Sequence, residues 1–75
     1  MLLNQESMME SSHIDKCMYD FTSNVLKIRF KSGALYEYLN VEPNVYDSFV
    51  KAESQGKYFN ENIKNSYTSN QLLLD

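Results

Sequence analysis

From Val25 to Phe30 the chain reads Val-Leu-Lys-Ile-Arg-Phe, with Leu26, Ile28 and Phe30 alternating against basic Lys27 and Arg29. A period of two sends successive side chains to opposite faces, so this segment is a strand with one buried and one solvated face. Lys31-Ser32-Gly33 turns the chain, and Ala34 to Leu39 returns it as a strand carrying Tyr36-Glu37-Tyr38. Loop length then decides which residues are buried, because opposed residues of an antiparallel pair share a face. A two-residue Ser32-Gly33 loop sets Arg29 against Tyr36 and buries Glu37 beside Ile28, leaving a carboxylate with no visible partner. A three-residue loop, with Gly33 in the left-handed position of a bulge, sets Ile28 against Tyr36, Leu26 against Tyr38 and Lys27 against Glu37. The second register joins apolar to apolar and opposite charges to one another. It is the expected one, and it makes Tyr36 and Tyr38 core residues rather than a binding platform.

Around this hairpin the pattern is simpler. Ile14 to Tyr19 alternates loosely and reads as a preceding strand, closed by the turn cluster Asp20-Phe21-Thr22-Ser23-Asn24. Glu42-Pro43 opens a helix, with Asp47 close behind to favour its N-terminus, and Val45, Tyr46, Phe49 and Val50 form a stripe that can lie on the sheet. Gly56 is the expected stop for that helix, and Phe59, Ile63 and Tyr67 carry a second helical stripe between Lys57 and Tyr67. Ser54 reads as a helix cap, and Asn60 as a side chain that holds the backbone of a tight Gly56 turn. Leu72-Leu73-Leu74 either docks on the core or frays. Strands first and helices after give an α+β fold: a three-stranded antiparallel meander followed by two short helices packed on one face. Residues 1–10 are expected to be a flexible segment, 11–72 the domain and 73–75 a tail.

Bulk numbers narrow the function. At 75 residues there is room for one domain with a thin core, and six Tyr and four Phe supply much of it. The net charge is −3, so nucleic acid could be held only by a local basic patch and not by the chain as a whole. A single cysteine, Cys17, excludes an internal disulfide and reads as a small buried hydrophobe. With one cysteine, one imidazole (His13) and scattered carboxylates, the sequence offers no nucleophile–base pair, no metal spacing and no phosphate-binding glycine loop. Asp20 is expected to satisfy its own turn rather than serve a catalytic site. No enzyme activity, cofactor, metal or small-molecule substrate is therefore expected. No stretch has the length and apolarity of a leader or a membrane span, and a cytoplasmic setting is the expectation.

From about Ser11 to Leu72 the chain resembles the KTSC domain, a short module found at the C-terminus of some lysyl-tRNA synthetases and also as a free-standing small protein. The features that carry the resemblance are Ser11-Ser12 with Ile14, Tyr19-Asp20, the Phe30-Lys31-Ser32-Gly33 turn and Tyr36-Glu37-Tyr38. To these are added Val41, Pro43, Val45-Tyr46 and Phe49, then Ser54-Gln55-Gly56-Lys57-Tyr58-Phe59-Asn60 with Ile63. Members of that family usually carry a basic and aromatic stretch near the end. Here Lys64-Asn65-Ser66-Tyr67-Thr68-Ser69-Asn70-Gln71-Leu72 keeps Lys64 but lacks the later basic positions and the second aromatic. The resemblance implies no established activity; attachment to a synthetase suggests RNA.

Two functions follow as expectations. The first is a protein-interaction or accessory module, monomeric or weakly self-associating, whose open sheet face and two edges receive a partner. The alternative is an RNA-binding module using Lys27, Arg29 and Lys31 along one strand with Lys57, Asn60 and Lys64 on the second helix. Tyr36, Tyr38, Ser54, Gly56, Phe59 and Asn60 are read as structural motif positions.

Overall fold

A computed structural model describes residues 4–8, as backbone, and residues 12–73. In chain order the elements are β1 (Asn4–Met8), β2 (Ile14–Asp20), β3 (Val25–Phe30), β4 (Leu35–Tyr38), α1 (Pro43–Lys51), α2 (Gln55–Asn62) and β5 (Ser69–Leu73). All strands pair antiparallel with their sequence neighbours, in the order β1-β2-β3-β4-β5. The two helices are inserted between β4 and β5.

The central hairpin takes the three-residue register. Leu26 faces Tyr38, Lys27 faces Glu37 and Ile28 faces Tyr36. Gly33 sits at φ 104°, a left-handed conformation that a side chain would oppose. The loop closes through Phe30 N–H to the Ala34 carbonyl at 2.9 Å and Gly33 N–H to the Phe30 carbonyl at 2.9 Å.

The α+β class holds, but the sheet has five strands, not three. Residues Asn4–Met8, expected as part of a flexible segment, pair with β2, Glu6 opposite Met18, although no apolar period there suggests a strand. At the other edge the residues read as a docking or fraying tail instead form β5, paired with β4 and exposed along its length. Both are edge strands held by main-chain hydrogen bonds, and such bonds leave no trace in an apolar pattern. Residues 1–3, 9–11 and 74–75, including Ser11, Met9 and Leu74, lie outside the described residues.

The helices also end differently from the sequence reading. Pro43 is the first residue of α1, as expected, but the helix stops at Lys51, where Ala52 turns extended (φ −64°, ψ 143°). Asp47 does not serve the helix N-terminus; it pairs with Lys51 at 3.0 Å, one turn on. Gly56 therefore ends nothing and lies in the first turn of α2. Ser54 does cap α2, its Oγ accepting from Lys57 N–H at 3.4 Å. Gln55 ties the two helices together, Nε2 donating to the Val50 carbonyl at 3.0 Å. α2 ends at Asn62, short of Tyr67, in a polar stretch of asparagine and serine that favours turns over helix.

The core lies between the helices and one face of the sheet. Ile14, Cys17, Tyr19, Leu26, Ile28 and Tyr38 from the strands meet Val41, Tyr46, Phe49, Phe59 and Ile63. One end of it is an aromatic corner in which Tyr19 and Tyr46 are buried and Phe21 is partly exposed. Tyr19 stacks on Tyr46 at 4.6 Å with an interplanar angle of 8°, and Phe21 meets Tyr19 edge-on at 4.7 Å. The Tyr19 hydroxyl donates to the Val41 carbonyl and lies 3.2 Å from Asn24 Oδ1. Val41 N–H in turn donates to the Asn24 carbonyl at 2.9 Å. Asp20 holds the intervening turn, its carboxylate accepting from Thr22 N–H at 2.8 Å, as its position in the turn cluster suggested.

Candidate ligand groove

At the opposite end of the core, four rings meet without closing. The alternation of β3 and β4 brings Phe30 and Tyr36 together edge to face at 5.7 Å. Tyr38 lies 6.4 Å from Tyr36 along the same strand face. α2 lowers Phe59 onto both, 5.7 Å from Phe30 and 5.6 Å from Tyr38. Neither helix covers β5, whose residues are all exposed, so the rings floor a groove of about 510 Å³ between α2 and the sheet edge. His13, Asn60, Lys64, Asn65 and Ser69 supply its polar rim. A second depression of about 330 Å³ shares His13, Phe30 and Tyr36 with it and extends toward Lys31 and Gln71.

The groove departs from the rest of the surface in charge. Among the described residues no Asp or Glu lines either depression, while Lys64 and Lys31 do. Tyr38 is 3% exposed, and burial, reinforced by the neighbouring Tyr36, pushes its hydroxyl up to about 12. It is a neutral wall at any physiological pH. Among the described residues no group of three His, Cys, Asp or Glu side chains could hold a metal ion.

The six residues suggested for nucleic-acid contact are not brought to one place. Lys27 and Arg29 point to the sheet face away from the helices, with Lys16, Met18 and Leu35. Lys16 stands directly opposite Arg29 in the ladder, making three cations on that face. Glu37 lies there too, opposite Lys27, and accepts from Asn70 Nδ2 at 3.1 Å. Lys57 occupies a separate depression with Glu53 and Glu61. Only Asn60, Lys64 and Lys31 reach the groove and its extension.

The structural motif positions divide as well. Tyr38 and Phe59 are buried, but Tyr36 is only half-buried and forms part of the groove floor, so it is both core and lining. Asn60 is exposed at the rim and has no tight Gly56 turn to hold, because Gly56 is helical. Gly56 lines the groove instead, where a Cβ would narrow it. Sequence reasoning missed His13, Asn65, Ser69 and Gln71. Nothing in their neighbourhood is periodic, and they meet only because β5 returns to β4.

The KTSC family model matches residues 10–67. The chain belongs to the KTSC domain family. This KTSC domain is 42% identical over 55 residues to a protein of Tsukamurella paurometabola, covering 73% of the chain and 82% of that relative. It is 38% identical over 63 residues to a lysine–tRNA ligase of Nostoc punctiforme, a match that covers 84% of the chain but 11% of the ligase. A crystal structure of a KTSC domain protein from Yersinia pestis superposes with a TM-score of 0.88 at 28% identity, covering 93% of this chain and 99% of that one. Within this KTSC domain, the stretch after α2 supplies Lys64, Asn65 and Ser69 to the groove. No helix among the described residues is long and apolar enough to cross a membrane.

Proposed function

We propose that this KTSC domain is a non-catalytic protein-interaction module that receives its partner in the groove between α2 and the β4–β5 edge. The observation that carries this reading is a ring-floored groove left open at the uncovered sheet edge, with lysines and, among the described residues, no carboxylate in its lining. A concave apolar floor with a few polar groups on its rim is what a side chain of a partner can fill. The titratable groups facing the space are His13, Lys64, Lys31 and the groove tyrosines, with no described carboxylate beside them to form an acid–base pair.

The second reading, RNA binding, draws on the cluster of Lys16, Lys27 and Arg29 on the outer sheet face. Phosphates need such cations, but single-stranded recognition also needs rings with open faces. The outer-face depressions are lined by Met18, Val25 and Leu35, and the groove's rings are already packed against one another. The protein reading is therefore preferred.

Selection of a random linear peptide display library on the immobilised domain tests it. Selected peptides are expected to shift the amide resonances of Phe59, Asn60 and Ser69 in the labelled protein. If no peptide maps to the groove, while mixed short RNAs shift Lys27 and Arg29 in a salt-sensitive way, the RNA reading replaces this one.

A further inference from the structure

The groove and the edge of β5 are one continuous surface. β5 pairs with β4 on one side and, among the described residues, has no strand on the other. From Ser69 to Leu73 it carries no charge and no proline, the devices that usually protect an edge from pairing. Leu72 and Leu73 are 41% and 49% exposed, beside that open edge.

Register links the edge to the groove. Ser69 faces Tyr38 and Gln71 faces Tyr36, and both Ser69 and Gln71 line the depressions on the helix side. A strand added beyond β5 would place every second side chain on that same side. The rings of β4 would then lie two strand spacings away, roughly 9.5 Å. Ser69 is small enough for an aromatic side chain to lean across it toward Tyr38 and Phe59. Lys64 lines the groove and Lys31 its extension, with no carboxylate among the described lining residues.

We propose that the partner is an extended protein segment that adds to β5 as a sixth strand. An aromatic residue of this segment enters the groove, and carboxylates two positions before and after it meet Lys64 and Lys31. Main-chain pairing supplies the hold and the alternate side chains supply the choice of partner. This rests on the groove being the docking surface, and it adds the form and chemistry of the occupant.

The test uses two blocked heptapeptides, Thr-Asp-Thr-Phe-Thr-Asp-Thr and the same sequence with Lys for Asp, titrated into the amide-labelled chain at moderate salt. The acidic peptide is expected to bind about tenfold or more tightly than the basic one, with shifts at Ser69, Gln71 and Lys64. N-methylation of alternate residues should weaken it by about tenfold in one phase of the alternation and leave it unchanged in the other. Lys64→Glu, an exposed substitution, should abolish the preference between the two peptides, because Lys31 then stands against one new carboxylate. Equal affinities for the unsubstituted chain, or indifference to N-methylation in both phases, overturn strand addition even where display-selected peptides still map to the groove. Absence of binding by the acidic peptide at millimolar concentration does the same. If instead the free chain self-associates and Leu72→Lys abolishes that, the occupant is a second copy and the proposal fails.

Discussion

Two aromatic clusters sit at opposite ends of one thin core, and they are built to different rules. In the corner formed by Tyr19, Phe21 and Tyr46, the rings pack closely and the Tyr19 hydroxyl is used, donating to a carbonyl that leads into α1. In the cluster of Phe30, Tyr36, Tyr38 and Phe59, the rings meet mostly edge to face and one side opens onto the groove. The first joins three connections in the chain: the β2–β3 turn, the entry to α1 and the helix itself. The second joins only β3, β4 and α2, because β5 is left uncovered. The first cluster is stacked and hydrogen-bonded into the chain's turns, whereas the second lines an open groove.

The largest test of that contrast is Tyr46→Ala. Tyr46 is 3% exposed and stacked, so truncation should cost about 3–5 kcal/mol, enough to unfold much of the population of so small a domain. Urea denaturation, or loss of the cooperative transition altogether, is the readout.

Next comes one chemical change made in both places. Tyr19→Phe leaves the buried Val41 carbonyl short of a donor and should cost about 1–3 kcal/mol. At roughly 4–8 °C per kcal/mol this is plainly visible in a melting curve. Tyr36→Phe, at the half-buried floor of the groove, should stay within about 0.5 kcal/mol of wild type. Equal effects from the two would erase the distinction between a structural corner and an open floor.

Alkaline pH separates the clusters by their hydroxyls. Tyr38 titrates at about 12 in the folded chain, above the ordinary tyrosine value. Its neutral form is thus favoured by folding: that stability is complete below about pH 10 and is lost as pH rises toward 12. Tyr19 is raised in the same direction by burial, with Glu42 and Asp20 adding to it. Tyr38→Phe should remove part of the alkaline fall while leaving the remainder from Tyr19 and Tyr67, which burial also raises, measured by denaturant unfolding between pH 9 and about 12. In acid the corner alone should respond. The Thr22 N–H holds Asp20 below the usual carboxylate range, so its contribution is present above that range and fades as pH falls through the lowered value. Asp20→Asn should flatten the acid side of the stability profile.

The smallest expected effect is Gly56→Ala. A helical glycine replaced by alanine should gain up to about 0.5 kcal/mol, whereas the new methyl group narrows the groove that Gly56 lines. Higher stability together with weaker binding of display-selected peptides is the expected pair of results. Unchanged binding would show that this part of the groove is not where the partner sits.

Much of the fold was legible without coordinates. The alternation from Leu26 to Phe30, the glycine at position 33 and the misplaced charge in the rival loop were enough to choose the hairpin register, and Pro43 marked the first helix start; the second helix, read from Lys57, begins at Gln55 behind its Ser54 cap. These are local signals, set by backbone sterics and by which face of a strand is buried. Gly56 misled because glycine stops a helix only when it follows the last turn, and Ala52 had already turned the chain.

The candidate site was the reverse. Sequence found its floor, since Tyr36, Tyr38 and Phe59 belong to the apolar pattern, but it read them as closed core. It grouped Lys27, Arg29 and Lys57 with Asn60 and Lys64, though the sheet and α2 separate them. Whether a ring is sealed or lines a groove depends on how far two helices extend across five strands. That is a question of coverage, which no residue's neighbours in the chain can answer. Likewise β1 and β5 exist through main-chain bonds to strands already formed, with no apolar period of their own. The sequence alone determined which residues must be buried together, because burial is written in periodicity. Only the tertiary structure decided which edge stays open beside them, because an edge is what remains after every long-range pairing has been made.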